Sequence, residues 1–209
     1  MNNIFSCDSK FFEKLGEVSN IIILNFIFII SCVPIVTIGV SITSLYYVAM
    51  KMVKKQDTYI LKEYIKVFKE NFKISTIVWF IMIIIGGILI VDLYLVRLVS
   101  NELITTILKL IFTMISILYI FTITYVFPII SKFDNSIKNT IINSILISIQ
   151  NLPYTIIIII LNLSPLFLMS LFSSYWGNII FFYTVIGFGI IIYINSIFFE
   201  KIFNKLISK

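Results

Sequence analysis

CVPIVTIGVSITSLYYVAMKMVKK, residues Cys32 to Lys55, sets a proline, a glycine and a run of hydroxyls inside an apolar stretch and ends it in lysine. How the chain passes Pro34 decides how often it crosses a bilayer. Pro34 has no N–H and its ring clashes with the preceding turn, so a helix entering from Val18 bends or breaks there. Gly39 permits close approach, and Thr37, Ser41, Thr43 and Ser44 can bond freed carbonyls or a neighbouring helix. The first reading is one kinked helix over residues 18–48, held by small residues. The alternatives are a discontinuous helix whose exposed ends line a substrate site and a re-entrant hairpin. The hairpin would put the N-terminus inside, and its arms of about 13 residues are too short to span.

Composition requires lipid around this chain. Of 209 residues 60% are hydrophobic and only 12% charged, and mean hydropathy is +1.09, where a soluble domain carries about a quarter charged residues. The net charge of +6 comes from lysines beside apolar runs, so the expected counter-charge is anionic lipid, not nucleic acid. Met1 to Glu17 holds Asp8, Glu13 and Glu17 with no small-residue cleavage site after it, so no cleavable leader is expected. Cys7 and Cys32 are far apart in sequence and His is absent, so neither a disulfide framework nor a metal centre is expected.

Five segments reach the roughly 20 apolar residues a helical span needs: Val18 to Val48, Ile74 to Val96, Leu103 to Ile130, Leu152 to Phe172 and Ile179 to Phe199. Unpaired backbone is not tolerated in hydrocarbon, so these are helices, and IIIIIL at Ile156 to Leu161 lacks the alternation of a barrel strand. The expectation is a single all-α polytopic membrane domain: an outer arm (1–17), a kinked first span (18–48), an amphipathic inner-surface helix (56–73), spans over 74–96 and 103–130, an amphipathic lead-in and span over 136–172, a span over 179–199 and an inner tail (200–209). Twelve of the 16 basic residues then fall on the side of the Met50 to Lys73 loop. The positive-inside rule therefore predicts an outside N-terminus and an inside C-terminus, in a bacterial cytoplasmic membrane.

At about 100° per residue, Tyr59 to Phe72 gathers Leu61, Tyr64, Ile65, Phe68 and Phe72 on one arc, with Lys62, Lys66 and Lys69 opposite. The helix is expected on the inner membrane surface or against the spans, its apolar arc able to dock a partner. A similar amphipathic stretch precedes the fourth span, and NFKISTI and NLPYTII set Asn71 and Asn151 at matching places. A parallel internal repeat accounts for this, as does codon bias toward Asn and Ile.

LNFIFIISCVPIVTIGVSITSLYYVAMKMV followed by YIKVFKENFKISTIVWF resembles the YesL family of bacterial membrane proteins, a family of unknown function. The resemblance rests on Asn25, PIVTIG (Pro34 to Gly39), Leu45 to Tyr47 and F-x-x-N-F-K (Phe68 to Lys73), and covers about residues 5 to 95. It implies a small multi-span protein often encoded beside ATP-driven sugar transporters, with no established activity.

Polar groups inside spans are the remaining candidates for a site. Asp92 lies about 27 Å along the second span, near the outer interface, where pairing with Lys109 or Arg97 is expected and a proton or cation relay is the alternative. Asn25, Asn143, Gln150, Asn151 and Asn162 can tie helices or bond sugar hydroxyls, and the first four together with Pro34, Thr37, Gly39 and Asp92 form the candidate solute or packing set. With no His, no nucleophile elbow and no glycine-rich phosphate loop, neither an enzyme nor a cofactor is expected. The resulting expectation is a non-enzymatic protein accessory to carbohydrate uptake, with a sugar-transporter permease as partner. The alternative is a small transporter or channel for a polar solute.

Overall fold

The computed structural model describes residues 3–56, 59–99 and 101–208, with side chains described from Lys14 onward except at Ser173. Cys7, Lys10 and the acids Asp8 and Glu13 therefore lie outside the described side chains. Helices make up the described chain: α1 (Asn3–Cys32), α2 (Ile38–Val53), α3 (Ile60–Leu95), α4 (Glu102–Lys132), α5 (Ile137–Gln150), α6 (Leu152–Leu171), α7 (Trp176–Phe182) and α8 (Phe188–Ile207). Among the described residues there is no strand. Among the described residues six helical segments are long and apolar enough to cross a membrane. The molecule is thus an all-α polytopic membrane protein with six candidate spans where the sequence suggested five.

The extra span comes from Pro34. The helix does not kink there; it stops at Cys32, Pro34 adopts an extended ψ of 125°, and a single tight turn over Ile35–Thr37 starts α2. The residue before a proline is pushed away from helical angles, which makes a clean break easier than a bend. The chain then folds back, because Leu24 of α1 shares a buried cluster with Leu45, Val48 and Ala49 of α2. Residues 18–48 are therefore the centre of an antiparallel hairpin, and the single kinked span is corrected. Its arms, Lys14–Cys32 and Ile35–Val53, run to 19 residues each, because α1 begins before the apolar run and α2 continues through Met50 to Val53.

Folding back brings the start of the apolar part of α1 to the lysine-rich end of the bundle. Glu17 and Lys55 both lie within electrostatic reach of Tyr193 on α8. At that end Lys51 pairs with Glu63 at 3.0 Å, while Lys54 and Lys132 reach opposite oxygens of Glu200 at 3.0 and 3.1 Å. The two ends of the bundle chain, α1 from Lys14 and the last turns of α8, thus share one side.

Helix α3 is the second departure. It is 36 residues long, about 54 Å, against a hydrocarbon thickness of about 30 Å. The amphipathic stretch and the span are one helix, since no Pro or Gly interrupts Asn71-Phe72-Lys73 and the Asn71 amide donates to Val67 O within the same helix at 3.2 Å. The corresponding stretch farther on does break: α5 ends at Gln150, and α6 opens with Pro153 in its first turn, the helical position that proline tolerates. Two local features nonetheless repeat. Asn151 donates to Ile147 O, as Asn71 does to Val67 O, and the buried hydroxyls four residues on, Ser75 and Thr155, each bond another helix, at Thr43 and Tyr125.

Packing against α2 is closest at Gly39. A Cβ there would stand 2.7 Å from both Ser75 O and Trp79 Cβ on α3, so two helix backbones touch at a point only glycine fits. A ring cluster of Tyr46, Tyr125, Phe199 and Phe203 joins α2, α4 and α8 beneath it.

Candidate functional site

The hydroxyls after Pro34 pair the carbonyls that the break sets free. Thr37 Oγ1 donates to Ser31 O at 2.6 Å and to Pro34 O at 2.8 Å, Ser41 Oγ donates to Ser31 O at 3.1 Å, and Trp79 Nε1 donates to Ile35 O at 2.9 Å. Backbone groups without water must find partners within the protein, and this turn finds them locally. Pro34, Thr37 and Gly39 therefore build and seat the hairpin tip. No substrate-facing helix end is left open by them.

Asn25 is fully buried and its amide is saturated. Nδ2 donates to Thr184 O at 2.7 Å and more weakly to Tyr183 O at 3.4 Å, while Oδ1 accepts from Gly189 N–H at 2.8 Å. Residues Tyr183–Gly187, between α7 and α8, form one wide π-type turn. Such a turn leaves carbonyls and an N–H without their usual i−4 partners, and Asn25 supplies both. Asn25 is thus a clamp between α1 and the π-turn.

Asn143, Gln150 and Asn151 gather at the lysine-rich end. Asn143 and Gln150 line a hollow of about 380 Å³ with Asn135, Phe133 and Leu206, and Gln150 and Asn151 line a neighbouring one of about 250 Å³ with Lys205. The structure does not bring them to Asn25 or to the hairpin tip. Asp92 is half-buried on α3, and among the described ion pairs it makes none with Lys109 or Arg97; the expected pair does not form in this structure. The docking arc divides. Tyr64 is buried, its hydroxyl 2.6 Å from Ser31 Oγ, and Phe68 stacks on it at 6.2 Å. Leu61, Ile65 and Phe72 stay exposed. An open groove of about 480 Å³ beside them is lined by Asn20 and Ile23 of α1 with Tyr59, Leu61 and Ile65.

A different set of polar groups meets in the middle of the bundle. Asn195 Nδ2 donates to Asn162 Oδ1 at 2.8 Å, and the Tyr46 hydroxyl sits beside both amides. Asn195 is fully buried, yet its Oδ1 has no hydrogen-bond partner. Tyr46 and Asn162 form one corner of a cavity of about 210 Å³, whose other walls include Phe28, Trp79, Phe127 and Phe188. Asn162 is the tenth residue of α6 past Leu152, about 15 Å up a 30 Å helix, and is exposed there. Sequence reasoning singled out Asn162 only as one amide among several and passed over Asn195 and Tyr46. The available signal was a single amide near the centre of each of two late apolar spans, in LNL (Leu161 to Leu163) and INS (Ile194 to Ser196).

No group of three His, Cys, Asp or Glu side chains converges among the described residues. No curated protein and no solved structure matches the chain. The family described as a protein of unknown function, DUF624, matches residues 21–93, the stretch that holds the Asn25 clamp residue, the Pro34 hairpin and nearly all of α3; the chain is similar to that family over this third of its length.

Proposed function

We propose that this chain is a non-enzymatic accessory subunit of a carbohydrate uptake transporter in a bacterial cytoplasmic membrane, and that it docks the transporter's permease at its lysine-rich end. The carrying observation is that Leu61, Ile65 and Phe72 remain uncovered on α3 after Tyr64 and Phe68 turn inward. The stripe is flanked by the exposed Lys62, Lys66 and Lys69, which suits a partner helix with an apolar face and acidic edges. The YesL-like motifs, which imply a protein encoded beside sugar transporters, fall on this same part of the chain. In the test, tagged protein is extracted gently from its native membrane and co-purifying proteins are identified by mass spectrometry. A sugar-transporter permease recovered in fixed ratio, and lost with the Leu61→Asp, Ile65→Asp double variant, is the expected result. Recovery of the chain with itself alone sinks the accessory reading, and unchanged permease recovery with the variant moves the docking site elsewhere.

Both ends of the chain face the cytoplasm in this proposal. Of the basic side chains among the described residues, only Arg97 and Lys109 belong to segments that reach the far end, so the hairpin strengthens the positive-inside bias, with anionic inner-leaflet lipid as counter-charge. In a variant lacking native cysteines, Lys109→Cys is expected to react with a membrane-impermeant maleimide in intact cells. Lys14→Cys should react only after permeabilisation. Labelling of Lys14→Cys from outside would reverse the assignment.

A further inference from the structure

We infer that the hollow between α5 and the last turns of α4 and α8 binds the head of a phosphatidylglycerol-type lipid, a phosphodiester whose outer ester group carries free hydroxyls. The site needs the lysine-rich end to lie at a bilayer surface, as in the proposed function, but it needs no permease.

Uncommitted amides mark the site. Asn143 and Gln150 of α5, with Asn135 in the turn before it, line a hollow of about 380 Å³, and among the described residues none of the three side chains makes a hydrogen bond. Asn151, by contrast, is committed to Ile147 O and serves the joint between α5 and α6. Asn135 and Asn143 are half-buried and share the hollow with Phe133, Ile147 and Leu206, apolar walls that limit access of water. Each amide both donates and accepts, so three of them present both kinds of group to one occupant.

Charge selects the rest of the head. Gln150 and Leu206 also wall a neighbouring hollow of about 250 Å³, to which Lys205 adds an ammonium that makes no ion pair among the described residues. No acidic side chain lines either hollow; Asp134 faces a third one, shared with Asn71 of α3. A phosphate therefore fits beside Lys205 and Gln150, an ethanolamine ammonium finds no counter-charge, and glycerol hydroxyls match the amides.

Depth selects a lipid over a free polyol phosphate. Ile142, Leu146 and Ile149 form an exposed apolar stripe on α5, as on a helix lying in the interface with its apolar side toward the acyl chains. Leu146 belongs both to that stripe and to the wall of the amide hollow. The hollow thus opens at the level where a phospholipid's phosphate meets its chains.

The full chain in detergent micelles is titrated with phosphatidylglycerol, and bound lipid is counted by native mass spectrometry. Phosphatidylethanol, of the same charge without the hydroxyls, and glycerol phosphate, without the chains, are the comparison probes. One phosphatidylglycerol is expected to bind about tenfold more tightly than phosphatidylethanol, the ratio that one or two neutral hydrogen bonds supply, and glycerol phosphate more weakly than either. Asn143→Leu and Gln150→Leu should abolish the preference between the two lipids. Lys205→Met should weaken both lipids alike, whereas Lys62→Met, exposed on α3, should change neither. Equal affinity of the native chain for the two lipids overturns the head-group assignment without any variant. A loss with Lys62→Met as large as with Lys205→Met means diffuse attraction and overturns the site, and glycerol phosphate binding as tightly as phosphatidylglycerol overturns the lipid as its occupant.

Discussion

Replacing Asn25 with leucine is expected to destabilise the bundle by about 2–6 kcal/mol, since it leaves Thr184 O and Gly189 N–H unpaired in a buried setting and each such group costs about 1–3 kcal/mol. Leucine fills nearly the same volume, so the loss is of hydrogen bonds and not of packing. The side chain has no substitute nearby: Gly189 has no side chain, and its Cα lies so close to α1 that an added Cβ would stand 2.9 Å from Ile21 O. The contact that admits the clamp therefore excludes anything larger. Thr184→Val serves as the control, because the Thr184 hydroxyl donates to Ile180 O in the preceding turn, on α7, and only its backbone carbonyl meets Asn25. Unfolding in mixed micelles with rising dodecyl sulfate should show a large shift for Asn25→Leu and a shift under about 1 kcal/mol for Thr184→Val. Comparable shifts for both would mean that the π-turn relaxes to an ordinary helix when released, and that Asn25 follows it instead of holding it.

Sequence reasoning reached the material of the fold and misjudged its joints. Apolar length alone gives helices and spans, and each of the four apolar runs from Ile74 onward falls on a helical segment long and apolar enough to cross a membrane. Pro34 was recognised as a break or bend, but the choice between the two turns on where Thr37, Ser41 and Trp79 send their hydrogen bonds. That is a tertiary fact; Trp79 lies 44 residues downstream of the carbonyl it caps. The same holds for Asn25, an amide in an apolar helix whose purpose appears only once a π-turn more than 150 residues away is set against it. Tyr64 and Leu61 share an arc on a helical projection, and nothing in the projection says that α1 and α2 cover one and leave the other. Periodicity assigns a face to a helix; it does not say how much of that face the rest of the chain will cover.

Glu200 lies where apolar length stops being informative, at the edge of the last span, and it carries the second large effect. Its carboxylate is 6% exposed, while the side chains of Lys54 and Lys132 remain 32% and 22% exposed. The three tie the ends of α2, α4 and α8 together, and their energies should be strongly non-additive. Lys54→Met or Lys132→Met alone leaves Glu200 one ammonium, so each is expected to cost about 1 kcal/mol or less, as for partly exposed pairs. The double variant strands a buried carboxylate, and losses of about 3–5 kcal/mol accompany a buried charge deprived of its partner. Removing the acid instead, by Glu200→Leu, leaves two lysines long enough to extend into water, so that variant should fall between the single and double lysine changes. Adding Glu200→Leu to the double lysine variant should recover most of the loss, because no unpaired charge then remains inside. The same dodecyl sulfate titration measures all five chains, and the interaction energy between the two lysine sites is the deciding quantity. A value near zero would mean that water reaches Glu200 and that the cluster is a surface ion pair; a value of about 2 kcal/mol or more would establish it as the lock that holds the hairpin against the rest of the bundle.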